Sequence, residues 1–247
     1  MNLLLFEPSE LDPSGRAVLT DERARHVREV LRAVPGQELR AGLVDGPLGV
    51  ARVVEVHADR VVFDASTLAS APTPERPRLD LLLAMPRPKV FARLLPALGS
   101  LGVGHIYVSN AARVERYYFD SHRLEAAEIR RQLLDGLVQA RDTRLPELTL
   151  HRSFRKLVED ELPAESRRVA LDPDSAGRLH EACAGLGAGQ RLLLAVGPEG
   201  GWVDFERALL AAAGFAFAGL GERVLRADVA CLVALGLVHE TLRDSPS

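Results

Sequence analysis

The sequence is poor in the residues that would settle its class on their own. Two cysteines, Cys183 and Cys231, stand in apolar, helix-like stretches, which reads as buried free thiols rather than a disulfide or a metal pair. The seven histidines are scattered and no His/Cys/Asp cluster has metal-ligand spacing, so no metal is expected. Lysine is nearly missing: Lys89 and Lys156 are the only two. The other basic side chains are arginines, which bind phosphate and stack on bases but also make structural ion pairs. The formal net charge is −3, so the molecule as a whole is no polyanion binder, and contact with nucleic acid has to come from local patches. No apolar run approaches the length of a membrane span. The octapeptide Met1-Asn2-Leu3-Leu4-Leu5-Phe6-Glu7-Pro8 is too short in its apolar part, and too acidic nearby, for a signal peptide. A cytoplasmic protein is expected. With 247 residues, 47% of them hydrophobic, the chain has room for one large or two modest domains with a real core.

The stretch Ala71-Pro72-Thr73-Pro74-Glu75-Arg76-Pro77 carries three prolines in seven residues and reads as an extended linker between domains at 1–70 and 78–247. Before it, β-type runs at 3–6, 38–44, 49–56 and 60–63, with one helix from 21 to about 32 capped by Thr20, predict a small β-barrel. After it, strands expected at 79–84, 105–109, 168–171, 192–196 and 215–220 alternate with helices at 90–101, 121–140, 176–184, 204–214 and 228–242. Ser121 and Asp204 are the expected caps of the second and fourth of these helices. That alternation predicts an α/β domain with a mainly parallel sheet. The sequence closes on a short Ser-Pro-Ser tail.

The most informative stretch is Leu192-Leu193-Leu194-Ala195-Val196-Gly197-Pro198-Glu199-Gly200-Gly201-Trp202, an apolar strand that stops at a turn of glycine and proline. Such a turn lets bare peptide groups approach a ligand closely, and a tight turn with no ligand has the same spacing. It is neither the G-x-G-x-x-G fingerprint nor a P-loop, which counts against NAD and against nucleotide hydrolysis. A second apolar run ends at Leu220-Gly221-Glu222-Arg223-Val224-Leu225-Arg226-Ala227-Asp228. Two exits this close in sequence are placed to line one crevice at the end of a sheet, where α/β folds bind ligands. Arg226 reads either as a contact to a phosphate or base edge or as the internal partner of Asp228 or Glu222. Met85-Pro86-Arg87-Pro88-Lys89 is a stiff basic loop at a strand end, suited to a phosphate backbone or simply solvated. Arg25, Arg28 and Arg32 recur at i, i+3 and i+7 with His26 beside them, and Ala24, Val27, Leu31 and Val34 form a separate apolar stripe. The basic stripe reads as an RNA-binding face or as a charged, solvated one. Arg141 and Arg144 are further candidate substrate contacts, the alternative being a charge effect at a helix C-terminus.

Several of these stretches, in order and over nearly the whole chain, resemble one family. They are Arg25-His26-Val27-Arg28-Glu29-Val30-Leu31-Arg32 with Gly36, Pro86-Arg87-Pro88-Lys89, Leu101-Gly102-Val103, Gln139-Ala140-Arg141-Asp142 with Leu145-Pro146, the Val196-to-Gly201 turn and the Leu220-to-Arg226 segment. The family is the bacterial 16S rRNA uridine-N3 methyltransferases of the SPOUT superfamily. The resemblance implies a PUA-like β-barrel at the N-terminus and an α/β domain with a deep trefoil knot after it. It implies a homodimer, with the site close to the subunit interface, acting on 16S rRNA of the small ribosomal subunit. It further implies S-adenosylmethionine, held at Leu171, Asp172, Gly197, Pro198, Glu199, Gly200, Gly201, Leu220, Gly221, Val224, Leu225 and Arg226. Where members of the family show a Thr-Glu-Thr-like run, this chain has Ala227-Asp228-Val229, and Asp172-Pro173 stands where a His-Pro pair is common.

Methyl transfer from a sulfonium asks for an aligned nucleophile and exclusion of water. A uridine N3 becomes that nucleophile once its imide proton is lost, and a cation near the uracil oxygens stabilises the anion. Arg226 is the candidate cation, and Asp228 or Glu199 the candidate proton acceptor. Arg25, His26, Arg28 and Arg32, with Arg87 and Lys89, are the expected phosphate contacts. Two other readings stay open: a related methyltransferase acting on another RNA such as tRNA, and a non-catalytic RNA-binding ribosome-assembly factor, which the Ala227-Asp228-Val229 departure motivates.

Overall fold

The computed structural model describes residues 3–187 and 189–243. Met1 and Asn2 of the N-terminal octapeptide, Ala188, and residues 244–247 with the Ser-Pro-Ser tail lie outside the described residues. The chain divides into two compact units, one of Met1–Arg76 with Leu134–Leu145, the other of Pro77–Leu133 with Pro146–Ser247. The first boundary falls within the proline-rich stretch. Residues 134–145, inside the segment assigned from sequence to the second domain, group with the first unit.

In the first unit, β1 (Leu4–Phe6), β2 (Arg16–Leu19), β3 (Glu38–Leu43), β4 (Leu48–Val56) and β5 (Val61–Asp64) form a sheet of order β1-β3-β4-β5-β2. The β1–β3 pair is parallel and the others are antiparallel. The sheet is strongly curled. Phe6 on β1 and Phe63 on β5 meet edge to face at 5.7 Å, whereas three strand spacings in a flat sheet would separate their strands by about 14 Å. An irregularity between Val53 and Glu55 in β4 adds to the bend. The helix α1 (Glu22–Glu29) closes on this core with Ala24 and Val27. Its cap is Asp21, which accepts from Arg23 N at 2.9 Å, rather than Thr20.

α1 is also shorter than its sequence pattern. Pro35 disfavours helical geometry at Val34, and the chain has already turned at Arg32, whose φ is 48°. Arg32 therefore leaves the Arg25–Arg28 stripe, and Leu31 and Val34 are exposed instead of extending the apolar one. Leu137 of the returning segment packs with Leu3, Leu5 and Val44. Thr143 fixes that segment by donating from Oγ1 to Gly46 O at 2.6 Å and accepting from Asp45 N at 2.7 Å.

The second unit begins with β6 (Leu79–Ala84), α2 (Pro88–Ser100) and β7 (His105–Ser109). It continues through α3 (Ala126–Ala140), β8 (Glu147–His151), the short α4 (Phe154–Lys156), β9 (Arg167–Leu171) and α5 (Leu179–Cys183). It closes with β10 (Leu192–Val196), α6 (Asp204–Ala212), β11 (Ala216–Ala218) and α7 (Ala227–Arg243). The sheet runs β11-β9-β10-β6-β7-β8 and is parallel throughout. β10 and β6 lie at its centre and are buried at every position, as a parallel strand covered on both faces must be. The buried Asp80 on β6 is satisfied by Arg191 Nε at 2.8 Å and His105 N at 2.9 Å. Two expected caps move: Ser121 accepts from Arg123 N in a short 3-10 turn ahead of α3, and α6 is capped at Val203, whose N–H donates to Glu206 at 3.0 Å. Among the described residues no helix is long and apolar enough to cross a membrane, and no group of three or more His, Cys, Asp and Glu is placed to hold a metal.

Candidate functional site

Within the second unit, the loops leaving β9, β10 and β11 at their carboxyl ends enclose one cavity of about 620 Å³. That end of an open parallel sheet, beside the place where strand order reverses, is where α/β folds bind ligands. The two glycine-bearing exits singled out from sequence share this hollow, and the exit of β9 joins them. Gly197 to Gly201, Leu220, Gly221, Val224 and Leu225 all line it, as do Leu171 and Asp172.

The turn after β10 is shaped by Trp202. Its buried indole donates from Nε1 to Leu171 O at 3.2 Å and packs on Phe154 at 5.3 Å. A Cβ on Gly197 would stand 3.0 Å from that ring. The turn then closes from Gly201 N to Pro198 O at 2.8 Å, with Gly201 at φ 73°. Gly221 also has a left-handed backbone, φ 106°, but nothing lies within 4 Å of its would-be Cβ. The requirement for glycine at 221 is conformational, and the close contact lies at Gly197.

Two buried carboxylates brace the cavity wall. Asp172 is ion-paired with Arg207 and accepts from Asp174 N at 3.0 Å, while Arg207 also reaches Asp174 at 3.3 Å. Glu206 accepts from Ala112 N at 2.7 Å as well as from Val203 N, tying the start of α6 to the loop after β7. From that loop Arg113 lines the cavity and donates to the carbonyl of Gly200. Arg113, Trp202 and Arg207 were not candidates from sequence. Trp202 carried a signal, being the single tryptophan directly after the turn, and the other two carried none.

Arg226 and Asp228 do not line the cavity, although their neighbours Leu225 and Ala227 do. Arg226 is paired with Asp228 at 2.7 Å, the internal alternative left open by the sequence, and Arg93 approaches the same carboxylate at 3.5 Å. Arg87 is brought to the turn, 3.5 Å from Glu199, and Lys89 is exposed at the start of α2.

The remaining basic candidates lie in the first unit. Arg25 is exposed and paired with Glu22 at 3.0 Å. Arg28 has a buried Nε without a hydrogen-bond partner. His26 is half-buried, and desolvation holds its imidazole below the ordinary histidine value. Arg141 is exposed at φ 61° beyond the end of α3. Arg144 has a different use: its guanidinium donates to Pro74 O at 2.5 Å and Asp45 O at 3.0 Å. It holds the first unit's own backbone together and is a poor candidate for RNA contact.

A family model described as an RNA methyltransferase domain matches residues 73–239. The chain is 32% identical to the ribosomal RNA small subunit methyltransferase E of Treponema pallidum, over 100% of this chain and 95% of that one. It is 30% identical to the protein of the same name from Mycobacterium tuberculosis, over 96% and 92% of the two chains. Among solved structures it is similar in fold to a ribosomal RNA small subunit methyltransferase E from Neisseria gonorrhoeae bound to S-adenosyl methionine, with a TM-score of 0.78, 21% identity and 97% of each chain covered. A probable rRNA-methyltransferase from Porphyromonas gingivalis gives a TM-score of 0.77 at 24% identity, over 96% of this chain and 98% of that one.

Proposed function

The chain belongs to the ribosomal RNA small subunit methyltransferase E family, and on that footing we propose that it methylates N3 of a uridine in 16S rRNA with S-adenosylmethionine as donor. The observation that carries the reading is the cavity at the carboxyl ends of β9, β10 and β11. Its volume of about 620 Å³ lies within the usual range of cofactor sites. At its wall Gly197 packs directly on the Trp202 ring, which leaves no room for a side chain at 197.

S-adenosylmethionine, when bound, supplies an electrophilic methyl group on a sulfonium. The residues that would hold it are Leu171, Gly197 to Gly201, Leu220, Gly221, Val224 and Leu225. Asp172 is fixed by Arg207, so the wall is preorganised rather than assembled on binding. The loops and the buried Trp202 exclude water from the reaction centre. Arg226 stands between two lining residues on an exposed, rotatable side chain. We assign it to the uracil oxygens, where its charge stabilises the anion left when the imide proton departs. Its ion pair with Asp228 must open for that role, and either the carboxylate so released or the cavity-lining Glu199 takes the proton.

Around this centre, Arg87 and Lys89 and, on the first unit, Arg25, His26, Arg28, Arg32 and Arg141 are assigned to the phosphate backbone. The first unit is on this reading a PUA-like RNA-binding domain, and the second a knotted methyltransferase domain. A second copy of the chain is assigned to α7, where the half-exposed Val229, Val233 and Leu237 form a stripe at i, i+4 and i+8. The cytoplasm, where the rRNA substrate is found, is the assigned compartment.

Calorimetric titration with S-adenosylmethionine, followed by methyl transfer to small-subunit rRNA with nucleoside analysis, tests the reading. Saturable binding and one new N3-methyluridine are expected. A folded protein that binds no S-adenosylmethionine would overturn it, and a product found in tRNA would move the substrate.

A further inference from the structure

Two aromatic rings are strongly exposed among the described residues, Tyr117 and Phe205. Phe205 is covered by the guanidinium of Arg155, 4.9 Å from its centroid. Tyr117 is 65% exposed and is held from one side by Tyr118, with centroids 4.9 Å apart and ring planes at 86°. It sits in the 3-10 turn Arg116–Asp120, in the same loop after β7 that sends Arg113 to the cavity.

Arginines also stand at the cavity rim. Arg87 is 3.5 Å from Glu199, and Glu199 lines the cavity. Desolvation and the neighbouring Tyr118 hold the Tyr117 phenol above its ordinary value, and the Arg87 cation opposes them. Arg113 touches Gly200 of the same turn, and Arg116 is exposed next to Tyr117. An open aromatic ring beside several exposed arginines is the arrangement that binds single-stranded nucleic acid, the ring taking a base and the cations its phosphates.

We propose that Tyr117 is the platform on which an unpaired base of the RNA strand stacks, on the loop that carries Arg113 to the cavity, with Arg87 and Arg113 on that strand's phosphates. The proposal rests on the function given above and adds to it the aromatic contact that holds a base out of its helix. Stacking uses the ring and not the hydroxyl, so the phenylalanine and tryptophan variants keep the site while the alanine variant loses it.

The test compares wild type with Tyr117→Ala, Tyr117→Phe and Tyr117→Trp. It measures equilibrium binding of an unstructured oligouridine, kcat and KM for methyl transfer to small-subunit rRNA, affinity for S-adenosylmethionine, and thermal unfolding. Tyr117→Ala is expected to weaken oligouridine binding and raise the RNA KM by about five- to a hundred-fold, the range for loss of one base–aromatic stack. Its S-adenosylmethionine affinity and melting temperature stay at the wild-type values, and Tyr117→Phe and Tyr117→Trp stay within about two-fold of wild type in RNA binding. An alanine variant that binds oligouridine as wild type does would overturn the proposal, as would a phenylalanine variant as impaired as alanine. A wild-type protein that binds oligouridine through Tyr117 but transfers no methyl group would leave the stacking site standing and remove the proposed activity.

Discussion

Gly197→Ala adds one methyl group where the cavity wall packs on the Trp202 ring. The new Cβ would lie 3.0 Å from Trp202 Cε2, 3.2 Å from Nε1 and 3.3 Å from Cδ2, so the ring must move by several tenths of an ångström. It has little freedom to do so. Trp202 is 3% exposed, its Nε1 is held by Leu171 O at 3.2 Å, and Phe154 backs it at 5.3 Å. Overpacking a site that cannot relax costs about 1–3 kcal/mol. In a protein of this size that corresponds to a fall in melting temperature of about 2–12 °C.

The displacement also passes through the Trp202–Leu171 hydrogen bond into the opposite cavity wall, so weaker S-adenosylmethionine binding accompanies the lower stability. Trp202→Phe supplies the control, because the smaller ring vacates the space that the methyl group needs. Gly197→Ala is then expected to cost less in the Trp202→Phe background, with a coupling of about 1–2 kcal/mol in the double-mutant cycle. Thermal unfolding and calorimetric titration of the four proteins measure both effects. A Gly197→Ala protein with wild-type melting temperature and ligand affinity, or a cycle with no coupling, would refute the claim that Trp202 sets the shape of this turn.

Other expectations separate binding from architecture. Arg28→Ala combined with Arg32→Ala should flatten the salt dependence of RNA binding by about 1.4 in log–log slope, the amount two phosphate contacts contribute on a single strand; an unchanged slope would remove this face from the RNA footprint. Arg144→Ala should leave that slope alone and instead destabilise the first unit by about 1–3 kcal/mol, since charge-assisted hydrogen bonds to the carbonyls of Pro74 and Asp45 are lost; a normal melting curve with a flatter salt slope would reverse the assignment. Burial pushes the Cys183 thiol up to about 11 and the Cys231 thiol up to about 12, so neither should react with a thiol reagent at pH 8 until the protein unfolds; rapid labelling of native protein would contradict their burial.

The central strands were legible because burial on both faces leaves a plain mark. Leu79–Ala84, His105–Ser109 and Leu192–Val196 have the bounds read from the sequence, each being a largely apolar run cut off by proline, glycine or a polar turn. Two of the edge strands left no such mark. Arg16–Leu19 and Glu147–His151 terminate their sheets, are short, and mix exposed with buried positions, so they passed for loop. The helix after residue 121 was placed too early because Ser121 does act as a cap, but of a different turn. The return of residues 134–145 to the first unit is a tertiary event with no local cause. Leu137 is an ordinary helix leucine until Leu3, Leu5 and Val44 supply the surface it packs on.

The site divides in the same physical way. Backbone-determined features could be read, since a glycine with positive φ or a proline in a turn constrains its own neighbourhood whatever lies around it. Gly201 and Gly221 have that geometry, and the two turns share a cavity. Guanidinium groups could not be read, since an arginine in a sequence carries no record of what neutralises it. Arg144 is held by two carbonyls, Arg207 by Asp172, and Arg226 by Asp228. Arg113, which the sequence does not single out, reaches the glycine turn as Arg87 does. An ion pair to a buried carboxylate such as Asp172 fixes a wall, because breaking it would leave a charge without compensation. A pair at the surface, as between Arg87 and Glu199, exchanges for another anion at little cost. The arginines able to follow a substrate phosphate or an ionised base at least cost are therefore those whose present partners are exposed or neutral, and Arg87 and Arg113 meet that condition while Arg207 does not. Arg226 stands between, since it is itself exposed but pairs with a largely buried Asp228 that Arg93 also approaches.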